Sequence, residues 1–338
     1  MNAFFEVSAK EQRLSILKPR GTSQNLSLSA SRIDNEMSLM SKILVVGSAN
    51  ADLMIAMPKL PKPGETVRGY DFLVAPGGKG ANQATAAARL GGDVGFIGSI
   101  GDDDFGKSLR ASLFDSGVDT AYLSVIPKSS TGVALVLSET SGENSIAIAA
   151  GANDLLLPTD IDAATDAIAE ASIIVCQFES PVVTIEHVIT VAKTCGVPVL
   201  LNPAPARPVT DAMLNGIRFL VPNRHELADL TGLPTDTVAD VEAAAKALLR
   251  RGVETVIVTL GRDGVLRAGG DGARVIPAPI VQAVDTTGAG DTFVGGFAAE
   301  WCRTSDVDAA ITFAQRAAAY SVTSRGAQAS MPWLSDLD

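Results

Sequence analysis

Short apolar segments rich in β-branched residues alternate with helical segments along most of this chain, and this alternation constrains the fold more than any other feature. The predicted strands carry apolar residues at consecutive positions, without the polar alternation of a half-exposed strand. Such strands are buried on both faces, and the helices between them cover a mainly parallel sheet on each side, so we predict a doubly wound α/β fold. The predicted strands are 43–46, 173–178, 199–202, 219–222 and 255–260. The predicted helices follow residue 78 and lie near 160–170, from 181, from 226, and at 239–251, 289–302 and 306–322.

Two segments depart from this pattern, because they alternate polar and apolar residues as half-exposed strands do. They are residues 64–75 and 131–149, and the second contains a Ser-Gly-Glu-Asn turn between two antiparallel strands. We predict that they belong to a small separate β-sheet. This sheet would form a lid of about 53–76 and 131–150 on an α/β domain that occupies 41–338.

The composition excludes several classes of function. Acidic residues outnumber basic ones by 38 to 27, which gives a formal net charge of −11. Such a surface repels nucleic acid and anionic membranes, and no apolar run reaches the ~18 residues of a membrane span. The three cysteines have no paired spacing and the two histidines fit neither a zinc site nor a triad, so we predict a cytoplasmic protein without disulfides. Residues 1–40 lack periodicity and a secretory signal, and we predict a disordered extension there.

The strongest local signal is the segment AVDTTGAGDTFVGGF, which begins at Ala283 and ends at Phe297. A strand-like stretch reaches Asp285, and glycines then precede an apolar helix. Glycines allow close approach to a ligand, and a helix start offers free N–H groups and the positive end of the dipole, which suits a phosphoryl group. Asp291 lies inside this anion site, where a carboxylate makes sense if it accepts the proton of an attacking hydroxyl. The alternative is a first-turn carboxylate that the helix dipole stabilises, and the spacing alone favours neither.

A second glycine-rich segment, GGKGANQA, lies at residues 77–84 and also precedes a helix. It lacks the spacing of a nucleotide-binding P-loop. Lys79 and Asn82 are suited to hydrogen-bond the hydroxyls of a polyol, whereas a simple tight turn explains the glycines but not these two side chains. Asn50 and Asp52 follow the first strand, at the edge where α/β sheets bind ligands. Taken alone, that pair favours a turn or a cap.

Together these segments resemble the ribokinase-like (PfkB) family of carbohydrate kinases, from about residue 42 to residue 333. The two glycine-rich segments are specific to that family, and the other segments point to its ribose-phosphorylating branch. The segments that carry the resemblance are GSANAD (47–52), PGET (63–66), GGKGANQA (77–84), TGVAL (131–135), AGAN (150–153), ESP (179–181), LNPAPAR (201–207), PN (222–223), TLG (259–261), VDTTGAGDTF (284–293) and GAQ (326–328).

The resemblance implies an ATP-dependent kinase that phosphorylates the 5-hydroxyl of D-ribose, with Asp291 as the catalytic base. Backbone N–H groups of residues 287–290 would form an anion hole, in which the catalytic positions are Gly288, Ala289 and Gly290. The sugar contacts would come from Asn50, Asp52, Gly78, Lys79, Gly80, Asn82, Glu179 and Asp291. The ATP contacts would come from Asn223, Thr259, Gly261, Gly264, Gly290 and Gln315.

The resemblance also implies Mg²⁺ and an activating monovalent cation, typically K⁺. Glu226 matches the acidic residue that places Mg²⁺ through water, and the alternative is an ordinary carboxylate at a helix start. The lids of two subunits pack together in this family, so a homodimer is implied, with Val133 and Leu135 as exposed apolar lid residues. The ligands of the monovalent cation would be Asp285, Thr287, Ser321, Ser324, Gly326 and Ser330.

Other functions are compatible with parts of this pattern. Within the family, a deoxyribokinase, fructokinase, adenosine kinase or pseudouridine kinase differs in a few pocket side chains, although Glu179 and the intact GGKGAN favour ribose. A non-catalytic sugar-binding regulator of the same fold has no need of Asp291 or the anion-hole glycines, and this sequence retains both. An NAD-dependent enzyme is disfavoured because no G-x-G-x-x-G segment follows the first strand.

Overall fold

The computed structural model describes residues 42–139 and 144–337. The predicted disordered extension of residues 1–40 lies outside the described residues, as does most of the predicted Ser-Gly-Glu-Asn turn. The described strands are β1 (Lys42–Val46), β2 (Asn50–Met57), β3 (Asp71–Gly77), β4 (Asp93–Gly101), β5 (Val118–Asp119), β6 (Leu123–Ile126), β7 (Gly132–Glu139), β8 (Asn144–Ala149), β9 (Ile173–Cys176), β10 (Val199–Leu201), β11 (Phe219–Leu220), β12 (Thr255–Thr259), β13 (Val265–Gly269) and β14 (Gly272–Ile276).

The helices follow the strands in regular alternation through the second half of the chain. Several begin where the sequence supplies a cap: α7 starts at a capping box between Asn223 and Glu226, and α8 starts at one between Thr237 and Asp240. The described α-helices are α1 (Lys79–Arg89), α2 (Asp104–Asp115), α3 (Pro158–Ala163), α4 (Thr165–Glu170), α5 (Val182–Cys195), α6 (Asp211–Leu214), α7 (Arg224–Thr231), α8 (Val238–Arg250), α9 (Ala289–Thr304) and α10 (Val307–Ser321).

The large sheet has the strand order β14-β13-β12-β11-β10-β9-β1-β4-β5, with β6 paired to β4. From β12 to β5 the strands are parallel, and only the β13–β14 hairpin adds antiparallel strands. The predicted doubly wound, mainly parallel α/β fold is therefore confirmed. The sequence pattern did not predict β4, β5, β6 or that hairpin.

Both faces of the large sheet are buried, as the strands without polar alternation predict. In β1, Leu44 and Val46 pack into one cluster with α3 to α8, while Ile43 and Val45 pack into the other with α1, α2, α9 and α10. All four side chains are fully buried, and each contributes about 1.5–3 kcal/mol to folding by leaving water. The core thus lies in two layers, one on each side of the sheet. The ends of the strands are therefore available for a functional site.

A separate four-stranded sheet has the order β3-β2-β7-β8, which confirms the predicted small sheet. Its strands are antiparallel except for the β2–β7 pair, which is parallel. Two details differ from the sequence analysis. β2 already begins at Asn50, and the strand predicted at 64–75 begins only at Asp71, after a loop in which Gly64 has φ 79°, outside the strand region.

The stretch that leads to the glycines before α9 was predicted as strand-like up to Asp285, and this prediction is wrong. Residues 277–288 form no strand, and the N–H groups of Val284 and Asp285 both donate to the carbonyl oxygen of Val322. A turn of the helical C-terminal region thus replaces a neighbouring strand as the backbone partner. Among the described residues, no helix is long and apolar enough to cross a membrane.

Candidate active site

The candidate site lies where the carboxyl ends of parallel strands meet the first turns of α1 and α9. β1 ends at Val46, and residues 47–49 lead directly into β2 of the small sheet. The start of α1 packs against this connection, because the N–H of Ala81 donates to the carbonyl oxygen of Ser48 at 2.8 Å. Helix starts carry unpaired N–H groups and partial positive charge, so this edge of the sheet attracts anions.

The glycines before α1 are required by close backbone packing. Gly78 has φ 87°, and a Cβ there would lie 2.7 Å from the backbone nitrogen of Asn50. A Cβ on Gly80 would lie 2.7 Å from the carbonyl carbon of Gly47. The predicted sugar-site glycines therefore bring the start of α1 against the β1–β2 connection, which places Lys79 and Asn82 in the site.

Asp291 is buried in the first turn of α9, with only 8% of the residue exposed. Its Oδ2 accepts a hydrogen bond from Asn82 Nδ2 at 3.0 Å, and its Oδ1 accepts one from Gln83 Nε2 at 2.9 Å. Both donors belong to α1. The carboxylate is thus held by a neighbouring helix, an arrangement that the first-turn alternative does not require.

The electrostatics of Asp291 suit a base. Burial raises its pKa, and the positive charge of Lys79 with the two amide donors opposes that rise only in part. Burial lowers the pKa of Lys79, but the carboxylates of Asp291, Glu179 and Glu226 outweigh this and leave it above its usual value. The site therefore pairs a basic carboxylate with an ammonium group that stays charged.

Asp52 and Glu179 add two more carboxylates. Burial, together with the charges of Glu179 and Asp291, raises the pKa of Asp52 to about 7. Glu179 follows β9, and its Oε2 accepts hydrogen bonds from Ser48 Oγ at 2.6 Å and from the N–H of Lys79 at 2.9 Å. Carboxylates make strong charge-assisted hydrogen bonds with hydroxyl groups, so this arrangement suits a polyol.

Asn50 has a structural partner as well as a place at the site. It is 3% exposed on β2, and its Oδ1 accepts a hydrogen bond from Asn153 Nδ2 at 2.7 Å. Asn153 also accepts from the N–H of Ala49 at 2.9 Å. Asn50 and Asp52 both lie on β2. The turn or cap predicted from this pair alone is therefore wrong.

A cavity of about 220 Å³ opens beside Asp291. It contains seven of the residues predicted for the sugar, phosphate, nucleotide and Mg²⁺ contacts. Asn223 and Glu226 cap α7 reciprocally: Asn223 Oδ1 accepts from the N–H of Glu226 at 2.9 Å, and Glu226 Oε2 accepts from the N–H of Asn223 at 2.8 Å. Burial raises the pKa of Glu226. The residues lining this cavity are Lys79, Asn202, Ala204, Val221, Asn223, Glu226, Thr259, Gly288, Gly290, Asp291 and Val294.

The N–H groups of the predicted anion hole differ in availability. The N–H of Thr287 donates to Asp285 Oδ1 at 2.9 Å, and that of Ala289 donates to the carbonyl oxygen of Thr286 at 3.2 Å. Those of Gly288 and Gly290 have no partner among the described residues. A Cβ on Gly290 would meet nothing within 4 Å, so open space lies in front of this backbone.

A larger cavity of about 600 Å³ adjoins the first, and Thr259 and Gly290 line both. Its walls are mostly apolar, as an adenine ring requires, with Ile280, Val281 and Phe293 among them. The predicted nucleotide residues Thr259, Gly261, Gly264, Gly290 and Gln315 all line it, and Gln315 Nε2 donates to the carbonyl oxygen of Ile276 at 3.0 Å.

The residues predicted to bind a monovalent cation come from two loops that meet. Asp285 Oδ2 accepts from the N–H of Gly326 at 2.9 Å, and Asp285 Oδ1 accepts from Thr287 Oγ1 at 2.7 Å. Ser330 Oγ donates to the carbonyl oxygen of Gly326 at 2.6 Å. Burial raises the pKa of Asp285, but the hydrogen bonds from Gly326 and Thr287 outweigh this and keep it below its usual value. Ser321 and Ser324 meet through a backbone hydrogen bond of 3.4 Å.

Two buried glutamines and a half-buried asparagine that sequence reasoning missed form a hydrogen-bonded group next to Asp291. Gln83 Nε2 donates to Asp291 and also to Asn202 Oδ1 at 3.1 Å, and Gln83 Oε1 accepts from Gln177 Nε2 at 2.6 Å. A usable signal exists, because Gln177 and Asn202 directly follow β9 and β10, at the ligand-binding edge of the sheet. Within the described residues, no group of three or more His, Cys, Asp or Glu side chains is arranged to hold a metal ion.

The sequence is similar to a known protein family and to several of its members. The family model for pfkB family carbohydrate kinases matches residues 40–334. A ribokinase of Haemophilus influenzae is 43% identical over 293 residues, which are 86% of this chain and 95% of the relative. A deoxyribokinase of Salmonella typhi is 42% identical over 291 residues, again 86% of this chain and 95% of the relative.

Solved structures agree as well. The structure of Arabidopsis thaliana ribokinase complexed with ribose and ATP matches with a TM-score of 0.82 and 34% identity, covering 88% of this chain and 97% of that one. A Thermotoga maritima ribokinase matches with a TM-score of 0.80 and 35% identity, covering 88% and 98%. The chain belongs to the pfkB family of carbohydrate kinases.

Proposed function

We propose that this protein transfers the γ-phosphoryl group of ATP to the 5-hydroxyl of D-ribose, with Asp291 as the catalytic base. The observation that carries the proposal is the position of Asp291 and Gly290. Asp291 lines the smaller, polar cavity, while the adjacent Gly290 lines both that cavity and the larger apolar one. An acceptor hydroxyl at Asp291 and a triphosphate that enters from the larger cavity therefore meet at the start of α9.

The acceptor is held by side chains from three parts of the chain. Asp52 of the small sheet and Glu179 after β9 accept hydrogen bonds from sugar hydroxyls, while Lys79 and Asn82 of α1 donate to sugar oxygens. The resemblance of the segments that contain these positions to the family motifs supports the assignment. Ribose suits this set because each of its hydroxyl groups offers both a donor and an acceptor.

In the transfer step, the 5-oxygen attacks the γ-phosphorus as Asp291 takes its proton. An oxygen–phosphorus bond forms, the bond between the γ-phosphorus and its bridging oxygen breaks, and ADP leaves. The free N–H groups of Gly288 and Gly290, with the dipole of α9, stabilise negative charge on the γ-phosphoryl oxygens. The small sheet acts as a lid that keeps water from taking the phosphoryl group.

Glu226 fits a role in placing Mg²⁺. Its Oε2 is used in the cap of α7 and its Oε1 is not, and Glu226 lines the cavity that Asp291 also lines. Mg²⁺ is commonly held by one or two carboxylates together with substrate phosphates and water, so no dedicated cluster of acidic residues is needed. When bound, Mg²⁺ would neutralise charge on the nucleotide phosphates.

The loops of Asp285 and Gly326 fit a monovalent cation. They bring together a carboxylate with a lowered pKa, hydroxyl groups and backbone carbonyl oxygens, which are the hard oxygen donors that K⁺ prefers. Asp285, Thr287 and Ser330 would be ligands, with carbonyl oxygens of Ser321, Ser324 and Gly326. The cation would stabilise the start of α9, which lies two residues beyond Thr287.

We further propose a homodimer that forms through the small sheet, in a reducing cytosol. Apolar side chains are exposed on one face of this sheet, among them Phe72, Val74 and Leu135, while Ile146 and Ile148 are exposed on the opposite face. Leu135 is exposed as predicted, whereas Val133 is only half-exposed, because its neighbours in the sheet cover part of it. The cytosolic location is supported by Cys176, Cys195 and Cys302, all of which are free thiols.

The test is ADP release by the purified protein with MgATP and a panel of acceptors: D-ribose, 2-deoxyribose, fructose and adenosine. We expect release that depends on ribose and rises when KCl replaces tetramethylammonium chloride. Since a relative named deoxyribokinase is 42% identical, deoxyribose is the second candidate acceptor. A higher kcat/KM for deoxyribose than for ribose would replace the proposed substrate, and ADP release that no acceptor stimulates would refute the kinase proposal.

A further inference from the structure

The carboxylate of Asp291 lies at the centre of a chain of buried amides. Its two oxygens accept hydrogen bonds from consecutive residues of α1, Asn82 and Gln83. Each of these amides is supported by another glutamine: Gln328 Nε2 donates to Asn82 Oδ1 at 3.0 Å, and Gln177 Nε2 donates to Gln83 Oε1 at 2.6 Å. All four amide side chains, those of Asn82, Gln83, Gln177 and Gln328, direct N–H groups toward Asp291 or toward the amide that contacts it.

The orientation of the amides follows from the chemistry of Asp291. An ionised carboxylate only accepts hydrogen bonds, so Gln83 has to present its NH₂ group and direct its oxygen away. That oxygen then has to meet a donor, and turning the Gln177 amide around would place two carbonyl oxygens against each other. Both NH₂ directions of Gln83 are used, because Nε2 also donates to Asn202 Oδ1 at 3.1 Å. Gln83 is therefore fixed in one orientation.

The two direct donors differ in what else they can do. Asn82 is the residue proposed to bind a sugar hydroxyl, so its NH₂ group would serve both Asp291 and the sugar. Gln83 is fully buried and has protein partners on every polar atom, so it has no route to a sugar. It remains with Asp291 after the acceptor binds.

We propose that Gln83 is the positioning residue of the catalytic base. It holds Oδ1 of Asp291 so that Oδ2 faces the attacking hydroxyl, and Gln177 and Asn202 hold Gln83 in turn. This inference rests on the proposed function, because it assigns Asp291 the role of base. It adds a residue that contacts no substrate and acts through Asp291 alone.

Other charged groups also face Asp291 and have to be considered. Lys79 belongs to α1, Asp52 to β2, Glu179 to the segment after β9, and Glu226 to α7. Loss of the Gln83 donor leaves all four in place. The carboxylate then loses one stabilising hydrogen bond, and its protonation moves to higher pH by about one unit.

The test is a steady-state comparison of the wild-type protein with Gln83→Met, which keeps the volume of the side chain and removes its amide. We expect kcat to fall roughly 10-fold to 100-fold, KM for ribose to change less than 3-fold, and the acidic limb of kcat/KM against pH to move upward by about one unit. Gln177→Met should give a smaller change in the same direction.

Thr85→Val is the matched control. Thr85 is fully buried on the same helix, and its hydroxyl has no hydrogen-bond partner among the described residues, so its replacement should leave kcat and the pH profile unchanged. Equal losses in Gln83→Met and Thr85→Val, or a Gln83→Met enzyme with normal kcat and pH profile, would overturn the proposal.

A crystal structure of Gln83→Met separates this inference from the proposed function. We expect its Asp291 carboxylate to rotate from the wild-type position while α1 and α9 stay in place. If the wild-type protein phosphorylates no acceptor but the carboxylate rotates, the proposed function fails and the positioning role of Gln83 stands. An unmoved carboxylate refutes the positioning role.

Discussion

A carboxylate that takes a proton from an alcohol has to be basic and yet charged when the alcohol arrives. Burial raises the pKa of Asp291, while Lys79 and two amide donors stabilise its charged form. Proton transfer to a positioned base contributes about 10²–10⁴-fold to a rate. At the residue scale, the proposed function therefore depends on one side chain and its immediate donors.

We expect Asp291→Asn to fold normally and to lose about 10²–10⁴-fold in kcat, since the amide accepts no proton. ADP release at saturating ribose and MgATP measures the loss, and circular dichroism checks the fold. Asp104→Asn is the control, because Asp104 is also a first-turn carboxylate, at the start of α2, but is exposed and paired only with Lys107. If both variants retain nearly normal turnover, Asp291 is not the base.

We expect the buried carboxylate of Asp52 to lower the free energy of unfolding at high pH and to strengthen ribose binding. Its pKa is raised from 3.8 to about 7 in the folded protein, so between those values the folded state holds a proton that the unfolded chain has lost. The free energy of unfolding therefore falls as pH rises through this window, and the cost is complete above about pH 7. We expect Asp52→Asn to raise Tm by a few degrees at pH 8, to change it little at pH 4, and to weaken ribose binding.

Thermal unfolding of the ligand-free protein at pH 4 and pH 8 measures this effect, and calorimetry measures ribose binding. Asp93→Asn, at an exposed position at the start of β4, controls for loss of net charge. An Asp52→Asn protein that is no more stable than wild type at pH 8 would show that the buried carboxylate carries no such cost.

At the scale of elements, the site depends on how closely α9 approaches α1. A Cβ on Gly295 of α9 would lie 2.6 Å from the carbonyl oxygen of Gln83 and 2.7 Å from the Cβ of Ala86. No larger residue fits there without moving one helix. The contact between α1 and α9 therefore also sets the positions of the groups that hydrogen-bond Asp291.

We expect Gly295→Ala to separate α1 from α9, to lower the free energy of unfolding by about 1–3 kcal/mol and to reduce kcat. The sign is informative, because glycine to alanine in a helix is otherwise stabilising. Urea unfolding and ADP release measure the two effects. Gly270→Ala, in the β13–β14 turn with nothing within 4 Å of the added Cβ, should behave as wild type. Unchanged stability in Gly295→Ala would mean that the helices relax freely.

At the scale of the whole molecule, the small sheet has a face of exposed apolar side chains that association with a second copy would bury. Phe72 and Leu135 lie on the same face of it, since Ile55 pairs with Phe72 and the neighbouring row joins Leu53 to Leu135. They are 63% and 46% exposed. A second copy of the sheet would provide an apolar partner for this face.

We expect the wild-type protein to sediment as a dimer, and Phe72→Lys combined with Leu135→Lys to sediment as a monomer, because desolvating two charges opposes association. Sedimentation velocity at micromolar concentration measures this. Phe114→Lys is the control, since Phe114 is 72% exposed on α2 and not on the small sheet. A monomeric wild-type protein would remove the dimer from the proposal.

The alternation of apolar strands and helices was enough to predict five strands of the large sheet, and the polar alternation of two further segments predicted the small sheet, because burial patterns repeat over consecutive residues. The glycines and Asp291 at the start of α9 indicated an anion site, but their spacing alone did not decide whether Asp291 is a base. The family resemblance supplied the sugar, nucleotide and cation residues. All six predicted nucleotide residues line the two adjoining cavities, and of the eight sugar residues Lys79 and Asp291 line the smaller cavity.

The tertiary structure alone decided the rest. Asn50 and Asp52 proved to lie on a strand of the small sheet, and Gln83 proved to link Asp291 to Gln177 and Asn202. Gln83 reaches Asp291 across 208 residues of sequence and Gln177 across 94. Local sequence pattern reports which side chains are buried, but a hydrogen bond between distant segments exists only after the helices have packed, and packing is set by the whole core.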